Sequence, residues 1–297
     1  MFIFSFTLKA DDTVTLAEKA HLANINALLI FTSQDGINSG HYHFSEVGVD
    51  MDVYHLPFKY HFKSDTSLSY FVVGNVGYSS TYVSHDIVIP PDSPLNYDNY
   101  MRTYTAGLGG GLSYEISDDL HVLAGVEFIY SRSGASVREP DSDIGREIED
   151  IFNKNYNDNT TYKYFSSIEY RPTHYKYKPY TSLSFKYYQT SSTFDFDLSS
   201  AFSTHSNVTT FALGLETPKL LAYEKNYLTI EGYTRANYLY GDVERAVKFK
   251  YYGSVGAVAY LYTPDISWAQ RFFIETNTIR SSGLEGYNLS LGFSVDF

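Results

Sequence analysis

The chain of 297 residues contains no cysteine, a single tryptophan and nine prolines. Without cysteine it has no disulfide framework and no thiolate metal site, a composition compatible with an oxidising envelope compartment. No segment approaches the run of about eighteen apolar residues that a membrane helix needs, so helical spanning is excluded. Cations are scarce as well. Lys and Arg total 22 against 34 Asp and Glu, and the net charge of −12 argues against nucleic acid as a partner. What the chain does have is aromatic surface, with 30 Tyr and 21 Phe, far more than a water-soluble core requires. Tyr carries an apolar ring and a wet hydroxyl, which suits a membrane–water boundary. A mean hydropathy of −0.25 looks soluble. That average is blind to a membrane barrel, in which half of each strand faces a polar interior.

Alternation supplies the sharper signal. At the C-terminus Tyr287, Leu289, Leu291, Phe293, Val295 and Phe297 alternate with Asn288, Ser290, Gly292, Ser294 and Asp296. Successive side chains of a strand point to opposite faces, so this segment is apolar on one side and polar on the other. Tyr104, Ala106, Leu108, Gly110, Leu112, Tyr114 and Ile116 form another apolar face, opposite Thr105, Gly107, Gly109, Gly111, Ser113 and Glu115. After a tight turn at Ser117-Asp118-Asp119, Leu120, Val122, Ala124, Val126, Phe128 and Tyr130 oppose His121, Gly125 and Glu127. Further strands are expected near 67–82, 161–171, 180–189, 207–217, 227–240, 247–262 and 268–280. A first strand is expected near 25–33. A long segment near 43–62 changes phase at Val53-Tyr54, which predicts a bulge before Pro57. The sum is about twelve strands.

Links of two lengths separate them. Short ones fall near 63–66, 117–119, 172–179, 218–226 and 263–267. Longer or more polar ones fall near 34–42, 83–100, 132–160, 190–206, 241–246 and 281–286. Short turns on one side and long loops on the other are the habit of outer-membrane barrels. The charges sort in the same sense. Glu115, Glu127, Lys163, Glu169, Lys186, Glu231, Arg235, Arg271, Glu275 and Asp296 take the polar face, and the lipid-side phase carries hardly a charge. These residues are expected to line the lumen as a mutually neutralising network, or as a solute-selecting wall. Gly107, Gly109 and Gly111 form no phosphate loop, since no Lys-Ser/Thr follows, and are expected to make room for something inside the barrel.

Ahead of the strands, Thr15 and Glu18 fit a capping box, and Leu16, Ala20 and Ala23 recur at roughly helical spacing. A short helix is therefore expected over 11–23, with Leu16, Glu18 and Lys19 on a candidate plug. Residues 1–10 read as a signal remnant or a short extension. The expected division is 1–24 as this extension and 25–297 as a single all-β domain, an antiparallel transmembrane β-barrel.

A helix leading into about twelve strands that end on an aromatic carboxylate resembles the translocator domain of autotransporters. With a couple of dozen residues before the barrel, the chain most resembles solitary barrels of this kind that carry no passenger. The resemblance implies residence in the bacterial outer membrane among its lipids and lipopolysaccharide, as a monomer. It also implies recognition of Phe297, Val295 and Phe293 by the barrel-assembly machinery. It implies a structural or transport role without cofactor, metal or enzymatic chemistry, with a small-solute pore as the alternative.

Lipid hydrolysis is the remaining reading. Thr204-His205-Ser206-Asn207 is similar to the His and Ser of outer-membrane lipid hydrolases. Those enzymes place one residue between the two, whereas here they are adjacent and are expected on opposite faces, beyond the reach that a base needs to its nucleophile. His41, His43, His55 and His61 lack a metal-ligand context and are expected at the lumen or at interfaces. The 132–160 link contains Ile144, Ile148, Ile151 and Phe152 at helical spacing. Asp141, Asp143 and Glu147 in it miss the spacing of a calcium loop and read as a solvated acidic face.

The terminal aromatic generates a first prediction. Deleting Phe297 should lower the amount of folded barrel in outer membranes, read as heat-modifiable protein on gels. An undiminished folded band would contradict it.

Overall fold

Period-two alternation becomes a single closed sheet. The computed structural model describes residues 37–46, 48–62, 66–89, 93–138, 156–172, 174–194, 202–264 and 271–294. In chain order the strands are β1 (Ile37–Phe44), β2 (Val49–Phe62), β3 (Leu68–Ile89), β4 (Ser93–Ser117), β5 (Leu120–Arg138), β6 (Tyr156–Tyr170), β7 (Lys178–Phe194), β8 (Phe202–Glu216), β9 (Leu221–Tyr223), β10 (Asn226–Gly241), β11 (Tyr251–Tyr262), β12 (Arg271–Arg280) and β13 (Glu285–Ser294). The three residues of β9 pair only with Asn226–Leu228, in the link after β8. The other twelve strands pair antiparallel with their sequence neighbours, and β1 closes on β13, from Ile37↔Leu291 to His43↔Glu285. Among the described residues the one helix is α1 (Asp242–Val247). The expected helix over 11–23 and the expected strand over 25–33 lie outside the described residues.

Closure fixes the barrel's dimensions. Following Cα partners from Tyr180 through Gly214, Tyr233, Gly256, Asn277, Asn288, Gly40, Val53, Ser79, Thr103, Ser133 and Asn157 returns to β7 at Phe194, fourteen residues further on. With ordinary strand spacing and rise, that stagger over twelve strands tilts them by about 40° to the barrel axis. Side chains just fill a barrel of about eight strands, so twelve leave an interior that needs further filling.

Every second residue faces out. On β4 Tyr104, Leu108, Leu112, Tyr114 and Ile116 are exposed while Thr103 and Thr105 are buried, and on β5 Val126 and Phe128 are exposed while Glu127 and Ile129 are buried. The outer wall carries Leu56, Leu108, Val126, Leu213, Ile274 and Leu289 at mid-height. Tyrosines band it toward one mouth. Tyr54, Tyr78 and Tyr104 sit ring to ring across β2–β4, at 6.2 and 5.1 Å, and Tyr238 meets Tyr251 at 5.1 Å. A second band toward the other mouth includes Phe62, Tyr70, Tyr114, Tyr170 and Phe293. An apolar wall between two aromatic girdles is the signature of a sheet facing lipid.

Several expectations are corrected. The segment 34–42 contains most of β1 and is no external loop, and the segment near 43–62 is two strands joined through 45–48. No bulge interrupts β2, which keeps register with β3 from Val49↔Val83 to Phe62↔Tyr70. Its apparent phase change arises because Met51 and Val53 are apolar residues on the inner face. Register shifts instead between Glu115 and Ser117, beside the tight turn. The link expected over 83–100 shrinks to 90–92, because β3 and β4 pair out to Ile89↔Ser93, and that over 190–206 shrinks to 195–201. Beyond the bilayer both faces of a strand are wet, so apolar periodicity ends before the hydrogen-bonded ladder does. The sorting of links by length is correspondingly weaker than expected. The helical and acidic stretch of the 132–160 link falls on 139–155, outside the described residues.

Val126→Arg puts a charge on the mid-height outer wall and should cost roughly 2–4 kcal/mol of folding free energy. Ser113→Arg, on the inner face toward the mouth that holds the turn at 118–119, should cost much less. Urea titrations in lipid vesicles should separate the two midpoints, and equal midpoints would show that the outer wall does not face lipid.

Candidate functional site: the barrel lumen

β1 begins and β13 ends at one mouth, here the terminal mouth, which also holds the links 63–67, 118–119, 171–177, 217–225 and 263–270. The far mouth holds 45–48, 90–92, 139–155, 195–201, 242–250 and 281–284. Between the two, the inner wall changes from charged side chains to uncharged ones, both apolar and small polar.

Toward the terminal mouth lies an ionic and aromatic wall. Arg171, just past β6, donates from Nε to Glu169 at 3.0 Å and from Nη1 to Glu231 at 3.1 Å, with Glu216 at 3.6 Å. Desolvation opposes the charge on Arg171, and Glu231 and Glu169 outweigh it, so its pKa lies above the ordinary guanidinium value. Glu216 accepts from the Thr229 hydroxyl at 2.7 Å and from Tyr262 at 3.1 Å. Arg235 meets Glu275 at 3.5 Å, and Glu275 also accepts from the Tyr233 hydroxyl. Three guanidinium groups lie over rings: Arg171 over Tyr180 at 4.4 Å, Arg235 over Tyr233 at 4.0 Å and Arg271 over Tyr260 at 4.7 Å. Buried carboxylates demand such partners, since an unpaired one is far too costly to desolvate.

At mid-height the buried Glu127 accepts from Lys163 Nζ at 2.7 Å and from the Asn75 amide. Lys186 also faces inward at this level, in phase with Tyr188. Asn75 and Glu127 occupy the space above Gly107, and the rings of Phe71 and Phe165 occupy that above Gly111 and Gly125. The glycine row therefore makes room inside the barrel for neighbouring side chains of the wall. A Cβ on Gly125 would lie 2.6 Å from the Phe165 ring and 2.7 Å from the Gly110 carbonyl oxygen.

Toward the far mouth the interior holds an apolar cluster on one side and small buried polar side chains, among them Thr103, Ser133, Asn159 and Ser192, on the other. Tyr42, Met51, Val53, Ile129, Tyr188, Val208, Leu239 and Tyr252 form one cluster with Val243 and Val247 of α1 and with Phe249 and Leu284 from the links. The link after β10 turns into the barrel to reach them. Gly241 starts the turn at φ 91° and ψ −144°, a region open essentially to glycine alone. Ser206 Oγ accepts from the Val243 N–H at 3.2 Å, and Asp242 accepts from the His205 N–H at 2.7 Å. Lys248 ends the helix in the left-handed conformation, and its N–H donates to the Glu244 carbonyl. Hydrogen bonding to Glu244 holds Lys250 above the usual lysine range. Val243 and Val247, one turn apart, are thereby pressed into the lumen at 1% exposure.

The candidates named from sequence are placed as follows. Glu127, Glu231 and Glu275 are buried, and Glu169, Lys186, Arg235 and Arg271 are partly exposed on the inner face. Phe293 lies on the outer wall, while Val295, Phe297, Leu16, Glu18 and Lys19 lie outside the described residues. His205 is exposed and bonds Tyr187 at 2.7 Å, while Ser206 is buried on the inner face, so the two are not brought together. His41 and His43 pair across β1–β2 with Asp52 at 2.8 Å and Asp50 at 2.7 Å, on the outer face. Arg171, Glu216 and α1 were not expected. Arg171 and Glu216 close strand ends where alternation is short. The link near 241–246 reads as polar because four of the six α1 residues do not face the cluster.

These features define a closed outer-membrane-type β-barrel with a short helix packed inside its far mouth. Its fold is that of autotransporter translocator domains. The translocator domain of NalP from Neisseria meningitidis superposes with a TM-score of 0.62 at 10% identity, covering 99% of this chain and 100% of that one. The transport unit of AIDA-I from Escherichia coli gives 0.59 at 10% identity over 95% and 98%. The β-domain of the Bordetella autotransporter BrkA gives 0.53 at 9% over 88% and 97%. At such identities the likeness is one of fold. No family model and no curated protein matches the sequence.

Glu127→Ala should strand the Lys163 ammonium and destabilise the barrel by about 3 kcal/mol. Replacing both, as Glu127→Leu with Lys163→Met, should recover most of the loss. A double variant no better than the single one in vesicle urea titrations would remove the pairing from the account.

Proposed function

We propose that this chain is an integral outer-membrane barrel of translocator type with a transport or structural role, held shut near its external mouth by the link that carries α1. The far mouth is assigned as external, since both barrel ends meet at the terminal mouth and outer-membrane barrels keep that end periplasmic. The observation that carries the reading is the apolar cluster that Val243 and Val247 complete across the lumen. An apolar constriction resists wetting, and hydrophobic gates in channels act in this way. The lumen charges Glu127, Glu169, Lys186, Glu231, Arg235, Arg271 and Glu275 serve in this reading as a structural network that keeps the wall rigid below the constriction. Lipid and lipopolysaccharide surround a monomer, and assembly depends on Phe293, Val295 and Phe297. No step of this function requires a nucleophile or a cofactor. The extension 1–24, with Leu16, Glu18 and Lys19, is a second candidate obstruction.

The small-solute pore is the competing reading, and the charged wall below the constriction favours it. Planar-bilayer recording separates the three. The full chain should show little or no conductance, and Val243→Asp with Val247→Asp should open steady channels by hydrating the cluster. Deletion of residues 1–24 should leave the full chain closed. Opening by that deletion alone would transfer the plug to the extension, and free conduction by the unmodified chain would establish the pore.

A further inference from the structure

The outer wall bears one recess that the lumen does not explain. Ala236, Gly253 and Arg280 are Cα partners across β10, β11 and β12, so an alanine and a glycine stand side by side next to an arginine on the outer face. All three are exposed. The row lies one step membraneward of the Tyr238–Tyr251 ring pair. It lines part of a cavity of about 590 Å³ that Tyr251 and, from the far-mouth links, Lys248, Phe249, Lys250, Ser281 and Ser282 also line. The recess thus sets an alanine and a glycine beside three cations, Lys248, Lys250 and Arg280, in a chain where acids outnumber bases by 34 to 22.

The charges are available. Lys248 makes no ion pair among the described residues. Lys250 pairs with Glu244 and Arg280 with Glu285, both at 3.1 Å. The Arg280 pair is 82% and 64% exposed, and such pairs are weak enough to exchange for a better anion. Phosphate accepts from several donors at once and matches the arginine fork. An acyl chain needs a wall without protruding side chains, which Ala236 and Gly253 supply.

We propose that this recess binds a phosphorylated lipid of the outer leaflet, its phosphate held by Lys248, Lys250 and Arg280 and one acyl chain lying on Ala236 and Gly253. Phe249 stands between the two lysines, buried, with its ring 6.4 Å from that of Phe44. A lipid seated on Lys248 and Lys250 would therefore hold the inward link in place from outside.

The test uses the full folded chain, stripped of lipid in detergent and titrated by native mass spectrometry with bisphosphorylated lipid A, its dephosphorylated form and inorganic phosphate. The expected result is at least ten-fold tighter binding of the phosphorylated lipid. Lys248→Ala with Lys250→Ala and Arg280→Ala should abolish that preference. Lys176→Ala with Lys178→Ala and Lys219→Ala, at the terminal mouth, should keep it. Gly253→Leu provides a variant that folds, since its Cβ meets only the Arg235 carbonyl oxygen at 3.8 Å. It should lose lipid retention with the cations intact. Equal binding of the phosphorylated and dephosphorylated forms overturns the proposal. So does full competition by millimolar inorganic phosphate combined with unchanged retention in Gly253→Leu, which would mark a bare anion site.

Discussion

The pairing of β1 with β13 is the constraint on which the rest of this structure depends. In hydrocarbon a backbone N–H or C=O without a partner costs several kcal/mol, so a sheet can cross a bilayer only with no free edge. Seven residue pairs from Ile37↔Leu291 to His43↔Glu285 remove the last two edges. Closure with this stagger sets strand tilt and radius together. The radius then dictates the interior. Twelve strands enclose more space than side chains of ordinary size reach across, so the wall alone leaves a gap, and the link after β10 supplies what is missing.

The filling is of two kinds because the two halves of the lumen meet different demands. Where the wall carries Glu127, Glu216, Glu231 and Glu275, each carboxylate has a cation or hydroxyl within hydrogen-bond reach, and Arg171 and Arg235 lie over tyrosine rings. Such an arrangement holds strands at fixed separation without excluding water. Nearer the far mouth, charge gives way to Met51, Val53, Ile129, Val208 and Leu239, against which Val243 and Val247 of α1 pack. The seat is polar, however. Ser206 and Asp242 take up N–H groups at the start of the helix, so α1 is located by hydrogen bonds and held by packing.

Much of this was legible from residue order, and the failures share one cause. The faces of β4 and β5, the closed sheet and its strand number follow from alternation, because lipid punishes a charge on one face and tolerates nearly anything on the other. That asymmetry also misleads. Apolar residues line the lumen as well, and the inward Met51 and Val53 led to the expectation of a bulge that β2 does not contain. The correcting signal was in the sequence. Leu239 stands in phase with Glu231 and Arg235, and Tyr188 with Lys186, so each shares a face with a charge that cannot face lipid. β1 was misplaced for a different reason. His41, His43, Asp50 and Asp52 are outer-face residues paired beyond the tyrosine girdle, where the membrane no longer enforces alternation.

Phase with a charge is thus a better guide to the inner face than apolarity is to the outer one. Applied along β10, it puts Glu231, Tyr233, Arg235, Asn237 and Leu239 on one stripe that passes from ionic and aromatic side chains through an amide to an aliphatic one as it climbs toward Gly241. One strand therefore carries both the charged and the apolar wall of the lumen and then turns, at a residue whose φ only glycine readily adopts, into the helix that packs against the apolar cluster. Constriction and wall are continuous in sequence. A change in the pairing of β10 with β8 or β11 would move Val243 and Val247 relative to the cluster they complete, so the obstruction reports the state of the wall on which it is built.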